Sequence, residues 1–173
     1  MHALILGASG SVGSYVAREI RKHFPYPIIL VGKNENTLNA LADELNNCIV
    51  IAQDLSSQRG IIETLNCIEQ QINGTNSRIG IAVLCLGFAS TESFFSIDTN
   101  ELLRHISVNV TTYTVLLHYL GRHMLPHKQG NILVFNSIAS VITASNIFPF
   151  YQASKTYLHN LCESISPRLK KYA

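Results

Sequence analysis

Ala3-Leu-Ile-Leu-Gly-Ala-Ser-Gly-Ser-Val-Gly13 is the stretch that decides the fold. Its apolar run stops abruptly at Gly7, as a short strand buried on both faces of a parallel sheet would. From there apolar residues recur every four positions, at Val12, Val16, Ile20 and Phe24, which predicts an amphipathic helix. Between a strand and a helix the glycines gain a chemical meaning. Gly7 permits the tight turn, Gly10 lets backbone approach a pyrophosphate, Gly13 allows close helix packing, and the first helical N–H groups supply donors. The spacing is G-x-x-G-x-x-G, not the commoner G-x-G-x-x-G.

The same unit repeats outward from this turn. Pro25 and Pro27 end the first helix, and Ile28 to Val31 is a second apolar strand, closed by Gly32-Lys33-Asn34. Asn34 is placed to cap a helix carrying Leu38, Leu41 and Leu45, which stops near Asn46-Asn47. Cys48 to Ala52 predicts a third strand leading into Gln53-Asp54-Leu55-Ser56. A helix with Ile61, Ile62, Leu65, Ile68 and Ile72 on one face follows, then a fourth strand from Ile81 to Cys85, closed by Gly87. Asp98 and Glu101 resemble a capping box at the start of a long helix that runs to about Met124. Gly130 precedes a fifth strand, Asn131 to Phe135, and a last helix is expected from near Tyr151 to Pro167. Strands alternating with helices predict an α/β fold, a doubly wound parallel sheet with helices on both faces, in a single domain over 1–173.

Composition narrows the function. With 47% hydrophobic and 14% charged residues the chain is compact, and its formal charge of +2 is too small, its Lys and Arg too scattered, for a nucleic-acid or membrane-surface binder. Residues 131 to 154 carry no charge, yet Asn131, Asn136, Pro149 and several hydroxyl residues interrupt them, against a membrane span. Cys48, Cys67, Cys85 and Cys162 form no C-x-x-C pair and suit a reducing cytoplasm. The first residues are too few and too mixed for a signal peptide, so the sequons at Asn73 to Thr75 and Asn109 to Thr111 are expected to be chance matches. His118, His123 and His127 have no carboxylate or thiol close by in sequence, and no metal site is expected.

A second stretch carries chemistry. In Tyr151-Gln-Ala-Ser-Lys155 a phenol and an amine stand four residues apart, on one face of a helix. A cation beside a phenol can lower its pKa by roughly one to three units from ~10, worth about 1.4 to 4 kcal/mol, enough for acid–base work near neutrality. Ser137 lies fourteen residues before Tyr151, at the end of the fifth strand, and Asn109 is an amide inside an apolar helical stretch, where burial needs a reason.

With these motifs in order, nearly the whole chain resembles the short-chain dehydrogenase/reductase family. Gly7, Gly10 and Gly13 match its cofactor turn, in a spacing nearer the extended members, and Leu6 replaces the usual threonine. Ser9, Val12, Leu55 and Gly87 fall on further cofactor-binding positions, and Asp54 on the acid that holds the adenine. The resemblance implies a Rossmann sheet of five strands in order 3-2-1-4-5, and a tetrad of Asn109, Ser137, Tyr151 and Lys155. It further implies that Tyr151 exchanges a proton with the substrate oxygen, Ser137 holds that oxygen, Asn109 positions a water, and Lys155, with Tyr151, contacts the cofactor's ribose side. No acid follows the second strand, and Lys33 stands where phosphate-preferring relatives have arginine, so NADP(H) is favoured over NAD(H).

The departures from the pattern carry expectations too. Leu84-Cys85-Leu86-Gly87 replaces Asn-Asn-Ala-Gly, and the loop before Tyr151 is one residue longer than is commonest, making Ser140 a second candidate. The sequence stops eighteen residues after Lys155, where family members continue through two more strands and a substrate lid. That predicts an open cleft, an exposed fifth strand, weak turnover, and a homo-oligomer built through the helices at 99–124 and 151–165, with Leu116, Leu117, Leu120, Tyr157 and Leu161 facing the partner. Phe88, Phe94, Phe95, Val141, Ile142, Ile147, Phe148, Pro149 and Phe150 are expected to border a cleft for an apolar carbonyl or alcohol. Two functions stay open at this point: an NADP(H)-dependent carbonyl reductase or alcohol dehydrogenase, and a nucleotide-binding or assembly protein that keeps the fold with little turnover.

Overall fold

In the computed structural model, which describes residues 1–74, 77–90, 92–141 and 149–172, one parallel sheet is formed by β1 (His2–Leu6), β2 (Ile28–Gly32), β3 (Cys48–Ala52), β4 (Ile79–Leu84) and β5 (Asn131–Val134). The order is β3-β2-β1-β4-β5, as expected. The helices are α1 (Ser11–His23), α2 (Glu35–Leu45), α3 (Gln58–Gly74), α4 (Thr99–Ile106), α5 (Thr112–Met124) and α6 (Pro149–Tyr172). Thr75 of the first sequon lies outside the described residues.

Alternation along the central strands builds two cores. Leu4, Leu6, Ile29 and Val31 point to the face covered by α3, α5 and α6, against Ile61, Ile68, Leu116, Leu120 and Leu158. Ala3, Ile5, Ile28 and Leu30 point the other way, onto Ala17, Phe24, Leu38 and Leu41 of the α1–α2 side. Because successive side chains of a strand take opposite faces, a run such as Ala3 to Leu6 must be apolar throughout when both faces are covered. Asn34 caps α2 by accepting the Thr37 N–H at 3.0 Å, and Asp98 caps α4 by accepting from Asn100 and Glu101.

Several expectations need correction. The buried face of α1 is made by Gly13 and Ala17, while Val12 is exposed, since small residues let this helix lie close on the sheet. Ile62 is also exposed, on the outer side of α3. Strand β4 starts two residues earlier than Ile81, and β5 ends at Val134. Helix α6 passes through Pro167, where both Pro167 and Glu163, whose carbonyl loses its helical donor, are exposed to water. Leu116, Leu117 and Leu120 are buried in the chain's own core, so they are not available to a partner.

The long helix expected over 99–124 is interrupted. Between α4 and α5, Ser107–Thr111 forms a π-helical turn in which the Thr112 N–H reaches back five residues to the Ser107 carbonyl. The Thr112 hydroxyl lies 2.8 Å from that carbonyl and 2.7 Å from the Leu55 carbonyl, with one proton to share between the two acceptors, and so ties the widened turn to the loop after β3. An extra residue in a turn rotates the following helix, and here it sets Asn109 inward at 0% exposure.

Candidate active site

The ends of β1 to β4 open into a cleft lined by residues of all four strand ends. Gly7, at φ +83°, makes the reversal possible: its N–H and that of Ala8 both donate to the Val31 carbonyl at 2.9 Å. Gly13 lies beneath the turn, where an added Cβ would stand 2.2 Å from the Gly7 carbonyl oxygen. Gly10 is the N-cap of α1 and offers no side chain to the first helical N–H groups. Such an uncapped helix start, in a loop with no bulk above it, fits the phosphates of a dinucleotide.

Gly7, Ser9, Gly10, Lys33, Asp54, Leu55 and Gly87 all line this cleft. Val12 does not, standing exposed on α1, and Gly13 acts only through the shape of the turn. At the far end the Lys33 ammonium sits 2.7 Å from the Asp54 carboxylate. Partial burial would raise the Asp54 pKa, but the Lys33 hydrogen bond and those from Ser56 win and bring it down to about 2. Two residues assigned separate jobs from sequence thus hold one another.

The four residues expected to form a tetrad come from three places. Asn109 clamps the loop after β4, donating to the Phe88 carbonyl at 2.6 Å and accepting the Phe88 N–H at 3.1 Å. Its burial is thereby satisfied. Ser137 caps the short turn Ile138–Ser140, its hydroxyl oxygen accepting the Ala139 N–H at 3.2 Å, which leaves the hydroxyl proton for another acceptor. Ser140, the second candidate, instead donates to the Ser137 carbonyl at 2.7 Å. Tyr151 and Lys155 share the first turns of α6, with the Lys155 Nζ 5.5 Å from the Tyr151 ring centroid and 5.2 Å from that of Tyr113. Lys155 is 2% exposed, has no carboxylate paired to it among the described residues, and burial pushes its pKa down. Asn136 ties the strand end to this helix by donating to the Lys155 carbonyl at 3.2 Å.

Other residues of the site were not singled out from sequence. Tyr113 donates its hydroxyl to the Leu86 carbonyl and so braces the segment where the family's usual amides are replaced by Leu84 and Cys85. Burial raises the Cys85 thiol to about 11, which keeps it protonated near neutral pH. Arg104 lines the nucleotide cleft, its guanidinium 4.6 Å from the Phe88 ring centroid. A signal for it existed in its position five residues before Asn109, on the same helical path.

Tyr151 also faces a second, smaller pocket, shared with Phe94, His105, Pro149 and Phe150. Phe95 and Val141, at 95% and 63% exposure, do not contribute to it, and Ile142, Ile147 and Phe148 lie outside the described residues. His123 accepts the Ile79 N–H at 3.3 Å and stacks on Tyr119, a structural use of that histidine.

A family model described as short chain dehydrogenase matches residues 1–173. The chain is 23% identical over 170 residues to an uncharacterized oxidoreductase of Staphylococcus epidermidis, covering 98% of this chain and 71% of that protein. It is 25% identical over 169 residues to gluconate 5-dehydrogenase of Gluconobacter oxydans, covering 95% of this chain and 63% of that one. Among solved structures, the bulky-bulky ketone specific alcohol dehydrogenase from Comamonas testosteroni superposes with a TM-score of 0.86 at 22% identity, covering 99% of this chain and 68% of that one. A short-chain dehydrogenase from Sphingobium yanoikuyae in complex with NADPH superposes with a TM-score of 0.87 at 22% identity, covering 99% and 66%. These superpositions show the shared fold.

Proposed function

The chain belongs to the short-chain dehydrogenase family, oxidoreductases that act on CH–OH and carbonyl groups with NAD(P), and from that premise we propose that it interconverts a carbonyl and an alcohol with Tyr151 as acid/base. The observation that carries the proposal is the buried Lys155 ammonium, unpaired with any carboxylate among the described residues, beside the phenol that lines the smaller pocket. Tyr151 stands beside that cation, placed to exchange its phenol proton with a substrate oxygen. Ser137, with its free hydroxyl proton, holds that oxygen, and Asn109 keeps the Phe88 loop in place while positioning a water for proton return. When bound, the nicotinamide supplies or accepts the hydride.

NADP(H) is the proposed cofactor. Gly7, Ser9, Gly10 and Gly87 would take its phosphates, with Val12 and Gly13 shaping the helix start, Asp54 and Leu55 its adenine, and Tyr151 and Lys155 its nicotinamide ribose. Lys33 would take the 2′-phosphate. The Lys33–Asp54 pair supports this: it is largely exposed, and such pairs contribute only ~0–1 kcal/mol, so Lys33 can turn to a doubly charged phosphate at little cost. The NADPH held by the Sphingobium yanoikuyae relative agrees with it.

The substrate is a small carbonyl or alcohol of apolar character, since Phe94 and Phe150 wall the pocket at Tyr151. The 173 residues work as one dinucleotide-binding domain, in the cytoplasm, where the free thiols of Cys48, Cys67, Cys85 and Cys162 stay reduced. No helix among the described residues is long and apolar enough to cross a membrane. A homo-oligomer forms through the outer sides of α5 and α6, where Gly121, Leu125, Leu161, Ile165 and Leu169 line an apolar groove.

The test is hydride transfer followed at the nicotinamide absorbance over a panel of ketones and alcohols. Tyr151→Phe is expected to lower kcat by roughly 10²- to 10⁴-fold while the NADPH dissociation constant stays within about threefold, since one phenol oxygen contributes little to binding. Equal turnover in Tyr151→Phe sinks the assignment, and tight NADPH binding with no turnover of any substrate favours a nucleotide-binding protein instead.

A further inference from the structure

The pocket beside Tyr151 contains a polar group that the proton chemistry above does not use. His105, in α4, is 3% exposed, and its ring is held between Phe88, at a centroid distance of 4.2 Å, and Phe150, edge-on at 5.9 Å. Neither Nδ1 nor Nε2 has a hydrogen-bond partner among the described residues. The side chain lines the same pocket as Phe94, Leu102 and Tyr151. A leucine or phenylalanine would fill the slot between two aromatic rings with no polar cost. An imidazole with both nitrogens bare keeps its desolvation penalty until something entering the pocket meets it.

The chemistry of that partner can be narrowed. Burial lowers the His105 pKa, against the opposing pull of Glu101, so the ring is neutral and offers one donor and one acceptor. Glu92 lines the pocket, and no lysine or arginine does so among the described residues. The neighbouring Arg104 is directed to the Phe88 ring and lies 3.9 Å from Glu101. An anionic group would therefore meet a carboxylate with no cation to offset it, whereas a hydroxyl satisfies a neutral imidazole in either tautomer.

We propose that His105 is a specificity-determining residue that hydrogen-bonds a second, uncharged oxygen of the substrate, making the substrate class a small hydroxy ketone, or the matching diol, on an apolar or aromatic frame. This rests on the oxidoreductase reading above. One oxygen is met by Tyr151 and Ser137 and the other by His105, so two polar anchors separated by an aromatic wall fix which face of the carbonyl is presented.

The experiment compares acetophenone with its α-hydroxy and ring-hydroxy derivatives in the wild type, His105→Leu and His105→Gln, taking the ratio of kcat/KM for hydroxylated over parent ketone. The wild type should prefer at least one hydroxylated ketone by roughly tenfold or more, the effect of meeting or leaving bare one buried polar group. That preference should collapse toward unity in His105→Leu and return in part in His105→Gln, which keeps a donor and an acceptor. A preference that survives His105→Leu, or a wild type with none, overturns the proposal. Imidazole ¹⁵N resonances of the NADPH-loaded protein give a readout separate from turnover. If no ketone is reduced but the His105 signals move with the hydroxy ketone and not with its parent, the oxidoreductase reading fails and the hydroxyl site stands. If they move with neither, the site fails as well.

Discussion

The nucleotide cleft and the Tyr151 pocket stand side by side at the ends of the same sheet, yet they are assembled in different ways. The cleft is made mostly of backbone: the reversal at Gly7, the bare start of α1, and strand ends whose carbonyls and N–H groups bond within a few residues or to the next strand. The Tyr151 pocket is lined by side chains, and the segments around it are tied by side chains that reach across the chain, with Asn109 on Phe88, Asn136 on the Lys155 carbonyl and Thr156 on the Ser140 carbonyl. A backbone cradle tolerates many side chains but few added atoms. A side-chain constellation tolerates added atoms at its margins but not the loss of a partner. Phe88 joins the two, lining the cleft while it packs on His105.

The strongest way to break this contrast is to add one carbon to the cradle. Gly13→Ala places a Cβ 2.2 Å from the Gly7 carbonyl oxygen, a contact of a Cβ with backbone that no rotamer can relieve. The expected loss is about 3 kcal/mol of unfolding free energy, together with the affinity for NADPH. Chemical denaturation and cofactor titration check it, and an unchanged midpoint would show that the turn can spread.

The constellation is tested by removing a partner. Asn109→Leu leaves the Phe88 N–H and carbonyl unbonded, at an expected cost of about 2 kcal/mol. Turnover should fall further than NADPH affinity does. If both fall alike, the two regions are one unit and the contrast is wrong.

The smallest effect belongs to the ion pair at the mouth of the cleft. In Lys33→Met the Asp54 carboxyl, followed by NMR, should titrate nearer its ordinary 3.8 than about 2. The sign follows from the lowered pKa: the carboxylate's contribution to stability is fully present above 3.8 and is lost as pH falls through about 2, so without Lys33 that contribution shrinks and less stability is lost below 3.8. Stability at pH 7 should change by less than ~1 kcal/mol, because the pair is exposed. The proposed preference for NADPH over NADH should drop by roughly tenfold, as expected for one lost charge-assisted contact.

Legibility in the sequence follows the same division. The glycine turn, the caps at Asn34 and Asp98 and the alternation of strands with helices were readable because each depends on residues within a few positions of one another. Asn109 was readable only as a question, an amide in an apolar stretch; its answer, the Phe88 backbone, lies 21 positions away. The exposure of Val12 and Ile62 was not readable, because a four-residue period identifies a helix face without saying how wide the buried stripe will be. Nor was the π turn at Ser107–Thr111, which depends on Thr112 reaching Leu55, 57 positions back.

By itself, then, the order of apolar runs, glycines and capping residues determined a doubly wound parallel sheet and the cleft at its strand ends, since short-range sterics and the period of each element leave few other arrangements. The strand order came from the family resemblance. Only the tertiary structure decided that Lys33 and Asp54 hold each other, that Tyr113 braces Leu86, and that His105 is buried with both nitrogens bare. Hydrogen bonds and desolvation act over about 3 Å, and which groups come that close is settled by how the helices pack rather than by where they stand in the chain.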